Sequence, residues 1–201
     1  MTKIMKKFKI RDVKIQKVDP GQLNDRLLLI NLYLTQGLTL FIGLVILFFQ
    51  KRNPFHLFDF PKSVEFLYWG AGLAVVMFGA DMLLSRFISE ESMDDGGINS
   101  MLFRQRPIWH IALISAIVAL CEELLFRGAI QHGIGPYWTS ILFAAIHVRY
   151  LRHWIPTAWV FASSYGLGFI YVQTGTLWAP ILCHFLIDMV SGLVIKFRRE
   201  T

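Results

Sequence analysis

The chain has 201 residues, of which 55% are hydrophobic and 17% charged, with a formal net charge of +6. Soluble domains carry about a quarter charged residues. The apolar residues here fall in long runs that leave no polar face for water, which excludes a water-soluble globule and points to a bundle whose outer face meets lipid. The basic excess does not indicate nucleic acid, because it sits in the tails and loop ends. Lys3, Lys6, Lys7, Lys9, Arg11, Lys14, Lys17 and Arg26 precede the first apolar run and read as an anchor near anionic headgroups. That basic stretch is long, and no small-residue cleavage site follows the apolar run, so the start does not read as a signal peptide. Cys121 and Cys183 lie within apolar runs and read as small buried hydrophobes.

In chain order, the first predicted span is Leu27 to Phe49, closed by Gln50-Lys51-Arg52-Asn53-Pro54. The second runs from Val64 to Ile88 and holds Asp81 as an isolated acid. A polar connector from Ser89 to Arg106 follows, with Asp94-Asp95-Gly96-Gly97 as its loop signal. Pro107 suits the first turn of a third helix, Ile108 to about Phe126. Gly133-Ile134-Gly135-Pro136 breaks the chain and starts a shorter helix, Tyr137 to about His147. After a basic turn, Arg149 to His153, come a fifth span, Ile155 to Val172, and a last one, Leu177 to Ile195. The fold expectation is therefore all-α: a polytopic transmembrane bundle of about six segments with its site in a membrane cavity.

Four regions follow: a basic cytoplasmic tail at 1–26, two spans and a connector at 27–107, a core at 108–195 and a second basic tail at 196–201. With six crossings, every Lys and Arg except Lys51, Arg52, Lys62 and Arg127 falls on the side of the tails. The positive-inside rule then places both termini in the cytoplasm. The expected setting is a bacterial cell membrane. The fourth segment is too short to need to span, since about 20 apolar residues are required; it reads as a short helix surrounded by the others.

Ionisable side chains inside spans cost roughly 2.5–3.5 kcal/mol each at mid-helix, and here they gather in the second half of the chain. Three groups stand out: Glu122-Glu123 with Arg127, Phe143 with His147, and His184 with Asp188. Glu123 and Arg127 are four apart, share a helix face and can pair. Glu122 points about 100° away, has no partner on its own helix and is suited to take a proton from water and hand it on. His184 and Asp188 project to one side, and Phe143 sets an aromatic ring one turn from the His147 imidazole. One such pair alone would read as a structural tie between helices. Three in one short chain, each needing its desolvation offset, read as a functional site. His56, His110, His132 and His153 lie at segment ends and read as interfacial.

These blocks and their flanks, Glu122-Glu123-Leu124-Leu125-Phe126-Arg127-Gly128 and Thr174-Gly175-Thr176-Leu177-Trp178-Ala179-Pro180-Ile181, resemble the CAAX-protease and bacteriocin-processing (CPBP, or Abi) intramembrane proteases. The resemblance covers roughly Ile108 to Gly192. It implies an endopeptidase in a helical bundle, in which Glu122 and His147 position and activate a water while His184 and Asp188 stabilise the tetrahedral oxyanion. One position departs from the pattern: Asp188 stands where the eukaryotic CAAX-processing branch carries asparagine. Aspartate either stays protonated or orients His184, and a prenylated CAAX substrate is less expected than peptide cleavage itself.

A metalloendopeptidase-like variant, with zinc held by histidines and carboxylates, is the candidate cofactor reading, although no His-Glu-x-x-His is present. The expected partners are a peptide or protein substrate reached from the membrane, and the bilayer. Two other classes are open to such a chain beside the protease: a non-catalytic scaffold or bacteriocin self-immunity protein, and a proton-coupled transporter with Glu122, His147 and Asp188 as the relay. The inverted repeats that would mark a transporter are not visible.

Overall fold

A segment surrounded by hydrocarbon must satisfy its backbone N–H and C=O groups along its own length, so the apolar runs form helices. The computed structural model describes residues 25–84, 86, 97–148, 150–151 and 153–198. The predicted N-terminal tail up to residue 24, position 85 and the end of the second predicted span at 87–88, the connector at 89–96 with most of its loop signal, Arg149 and Arg152 of the basic turn and the last three residues lie outside the described residues. Every described element is a helix: α1 (Asp25–Phe49), α2 (Pro54–Leu57), α3 (Glu65–Leu84), α4 (Ile98–Phe103), α5 (Ile108–Glu123), a π-helix (Leu124–Ile130), α6 (Gln131–Ile146), α7 (Trp154–Thr174) and α8 (Trp178–Phe197). Two short helices went unpredicted. α2 starts on Asn53, whose side chain accepts from the Phe55 N–H, with Pro54 in the first turn, a start signal present in the sequence. α4 occupies part of the connector read as loop.

Five described segments are long and apolar enough to cross a membrane, and one of them, Ile108–Ile146, is 39 residues long. It is not one straight rod. Phe126 and Phe143 would stand about 25 Å apart along a continuous helix, yet their rings are 4.8 Å apart. The reversal lies at Gly135, whose φ of 75° and ψ of 171° fall in a region open essentially to glycine alone. Pro136 then restarts the helix, as Pro suits a first turn. The predicted break is thus in place, while the predicted end of the third helix near Phe126 is not. Helix continues through the π turn, where the Gln131 N–H reaches back to the Phe126 carbonyl, and the return arm begins at Pro136 rather than Tyr137.

Contacts along the segments give their directions. α1 runs with α5 and the π-helix: Gln36 meets Glu122, Gly43 lies against Leu125, and Gln50 reaches Ala129. α8 runs against them, because His184 meets Glu123 while Gly192 lies against Ile111. The start of α1, the start of α5 and the end of α8 therefore share one end of the bundle. Leu102, Phe103, Ile111 and Ile114 form a core there with Leu29, Leu32, Met189 and Leu193. Small residues let helix backbones approach closely; a Cβ on Gly70 of α3 would stand 2.8 Å from the Ala179 carbonyl oxygen of α8. Leu34, Phe41, Val75, Val76, Trp138 and Val172 are exposed on the outside, the surface that lipid covers.

The end of α1 also buttresses the π-helix. Arg52 donates to the Gly128 carbonyl and Gln50 to that of Ala129, at 3.0 Å. Wide helical turns present carbonyls at angles their own helix serves poorly, and here a neighbour serves them. Arg52, an exception to the charge pattern along the chain, has a structural duty that accounts for its place.

Candidate active site

Glu123 and Arg127 are fully buried, and Arg127 Nη1 donates to Glu123 Oε1 at 3.0 Å. The predicted pair forms across the junction of α5 with the π-helix. Arg127 Nη2 donates to both the carbonyl and the hydroxyl oxygen of Ser164 on α7, each at 2.9 Å. Its guanidinium carbon lies 5.1 Å from the centre of the Phe143 ring, within cation–π range. One cation thus ties α5, the α6 return arm and α7 together.

The same Glu123 oxygen receives a second bond, from His184 Nδ1 on α8 at 2.7 Å. The spacing of His184 and Asp188 suggests that Asp188 orients the ring, but the orienting bond comes from Glu123. Asp188 Oδ2 lies 3.6 Å from His184 Nε2, inside ion-pair range and beyond a good hydrogen bond. Glu123 therefore anchors the arginine and the histidine, and leaves the Nε2 edge of the imidazole on the side of Asp188. Burial is graded accordingly: Glu123 and Arg127 are sealed, His184 is buried with a side-chain exposure of 11%, and Asp188 is half-buried at 30%.

Glu122 points elsewhere. It has no partner on its own helix, in line with the spacing argument, but the amide of Gln36 on α1 donates from Nε2 to its Oε1 at 3.1 Å. Gln36 is buried, and its own Oε1 has no hydrogen-bond partner among the described residues. His147 closes the return arm. Its ring stacks on Phe143 at 4.5 Å between centres, and Nδ1 donates to the Phe143 carbonyl at 2.7 Å. That bond makes Nε2 the acceptor nitrogen of a neutral ring. Since Phe143 lies opposite Phe126 in the hairpin, His147, four residues on, comes level with Glu122, four residues back.

The reversal at Gly135 thus brings His147 back along the segment that carries the two glutamates, while α8 supplies His184 and Asp188 from the other side. Gln36 and Ser164 were not among the residues read as functional. Each is a polar side chain inside an apolar span, the signal by which both could have been noticed. Asp81 sits half-buried on α3. No three His, Cys, Asp or Glu residues converge on a point where a metal ion could be held, among the described residues. Glu123 Oε1 is committed to Arg127 and His184, while its Oε2 is buried with no hydrogen-bond partner among the described residues.

Apolar helices around a buried carboxylate–guanidinium–imidazole cluster define an integral membrane protein with a polar site inside its bundle. The comparisons agree. Residues 104–190 match the family described as Rce1-like, type II CAAX prenyl endopeptidase Rce1-like. The chain is 37% identical over 167 residues to the uncharacterized protein YpbD of Bacillus subtilis (strain 168), covering 82% of this chain and 88% of that one. The chain belongs to the type II CAAX prenyl endopeptidase Rce1-like family. No solved structure matches it.

Proposed function

We propose that the chain is an intramembrane endopeptidase that hydrolyses a peptide bond with a water activated by Glu122. The observation that carries this reading is the separation of duties between the adjacent glutamates: Glu123 is consumed by Arg127 and His184, while Glu122 is half-buried, turned away from that cluster and level with His147. In the mechanism, water lies between Glu122 and His147 Nε2. Glu122 takes one proton, the oxygen attacks the carbonyl carbon, and the C=O electron pair moves onto the oxygen. His184, protonated on both nitrogens, donates to Glu123 from Nδ1 and to the oxyanion from Nε2. As the intermediate collapses, the C–N bond breaks and Glu122 returns its proton to the leaving amine, giving a carboxylic acid and an amine.

Turnover of a peptide library by the purified protein tests this, with His184→Ala and Asp188→Asn beside wild type. Loss of one oxyanion donor lowers the rate on the order of 10²–10³-fold, the result expected for His184→Ala. Asp188→Asn is expected to keep a substantial share of activity, because Glu123 holds the ring and an amide can itself donate. A stoichiometric metal in wild type that disappears with activity in Asp188→Asn, both partly restored by added zinc, would overturn the oxyanion role.

The substrate is a peptide reached from the bilayer, and the end of the bundle shared by the start of α1 and the end of α8 faces the cytoplasm. The reading rests on the basic residues gathered toward that end of the chain at both termini. Reporters fused before Met1 and after Thr201 should both read as cytoplasmic. Opposite readings from the two fusions would require an odd number of crossings and sink this topology.

A further inference from the structure

α1 lies outside the matched residues 104–190, yet it places one side chain directly on Glu122. Three facts about Gln36 belong together. Its Nε2 donates to Glu122 Oε1 at 3.1 Å, it is 6% exposed, and its Oε1 is buried with no partner among the described residues. Gln50 and Gln131 also combine a bonded Nε2 with a buried, unpartnered Oε1, but their amides donate to backbone carbonyls, whereas that of Gln36 donates to a carboxylate; the oxygen left unpaired beside that carboxylate is costly. An amide whose donor fixes a carboxylate, and whose acceptor stays available beside that carboxylate, can hold a small hydrogen-bond donor between the two. For a hydrolase that donor is water.

We infer that Gln36 is a positioning residue of the water site: Nε2 fixes the rotamer of Glu122, and Oε1 shares with His147 Nε2, in a three-centre bond, the hydrogen of the attacking water that Glu122 does not take. The inference rests on the proposed role of Glu122 as base and adds that the first span, not only the matched core, builds the site. It also gives α1 a role in timing. Any movement of α1 that withdraws Gln36 frees the Glu122 carboxylate to turn, so the water would be aligned only when α1 is docked.

The test uses full-length protein in nanodiscs and a fluorogenic peptide, chosen from a library as one that wild type cleaves. Gln36→Met keeps the length of the side chain and removes both polar ends. Gln36→Glu keeps its shape and an oxygen but sets a second carboxylate against Glu122. Losing a hydrogen bond to a charged group corresponds to about 10–100-fold. Gln36→Met should lose about that much in kcat with KM within about twofold, since water rather than peptide is misplaced, and Gln36→Glu should fall at least as far. Melting temperatures of Gln36→Met, Glu122→Leu and the double variant, in which each single change removes the bond between the two side chains, should be non-additive by a few degrees, as expected of partners in contact. Unchanged kcat in both Gln36 variants, a change confined to KM, or additive melting shifts would overturn the inference. Full activity in Gln36→Met beside an inactive Glu122→Gln removes this inference alone. Activity retained in Glu122→Gln, or no peptide cleaved by wild type, removes the protease mechanism and this inference with it.

Discussion

Glu122→Gln is expected to lower turnover by about 10²–10⁴-fold, the range contributed by a positioned general base, with little change in melting temperature. The amide has the shape of the carboxyl group and keeps an oxygen that can accept from Gln36 Nε2, now at 3.1 Å from Glu122 Oε1. The side chain is half-buried and belongs to no buried ion pair among the described residues, so no stranded charge is created. What disappears is the capacity to hold a proton between attack and departure of the amine. Turnover on a cleaved peptide, measured with a thermal scan on the same sample, separates the two effects. Activity within a few-fold of wild type would remove Glu122 as the base.

Arg127→Ala should act in the opposite way, through stability first. The guanidinium is fully buried, bonded to Glu123 Oε1 and twice to Ser164, and stacked over Phe143. Removing it leaves the Glu123 carboxylate in the bundle with His184 as its remaining partner, and breaking a buried pair costs about 3–5 kcal/mol. The packing of the α6 return arm and α7 around the lost side chain adds to this. Lysine would not restore it, since one ammonium cannot reproduce a planar fork that serves Glu123 and Ser164 together. Yield in the membrane and melting temperature should fall with activity. An inactive protein of unchanged melting temperature would mean that Arg127 serves the reaction rather than the fold.

Much of this was legible in the chain because a membrane makes polarity informative. Once lipid is the solvent, each buried acid, base or amide must be bonded, and the four-residue spacing of Glu123 with Arg127 and of Phe143 with His147 describes contacts that form. Local spacing is silent on contacts between helices. It could not show that Glu123, rather than Asp188, grips the Nδ1 of His184, since those residues are 61 positions apart. Nor could it show that Gln36 supplies the partner Glu122 lacks on its own helix. The π turn was also hidden: Leu124 to Ile130 is apolar apart from Arg127, and nothing in that composition distinguishes a wide turn from an ordinary one. The break at Gly135-Pro136 was plain, because those two residues restrict the backbone whatever surrounds them.

The reversal at Gly135 also acts as a ruler. Gly135 stands 13 positions after Glu122 and 12 before His147, so two arms of nearly equal length bring the carboxylate and the imidazole to one level. Substitutions along either arm leave this measure intact, provided that the helix persists. A single inserted or deleted residue does not: it slides one partner about 1.5 Å along its axis and swings it through about 100°. The arms can therefore drift in sequence far more freely than in length, and their length is where the site is most easily put out of register without touching any residue that carries its chemistry.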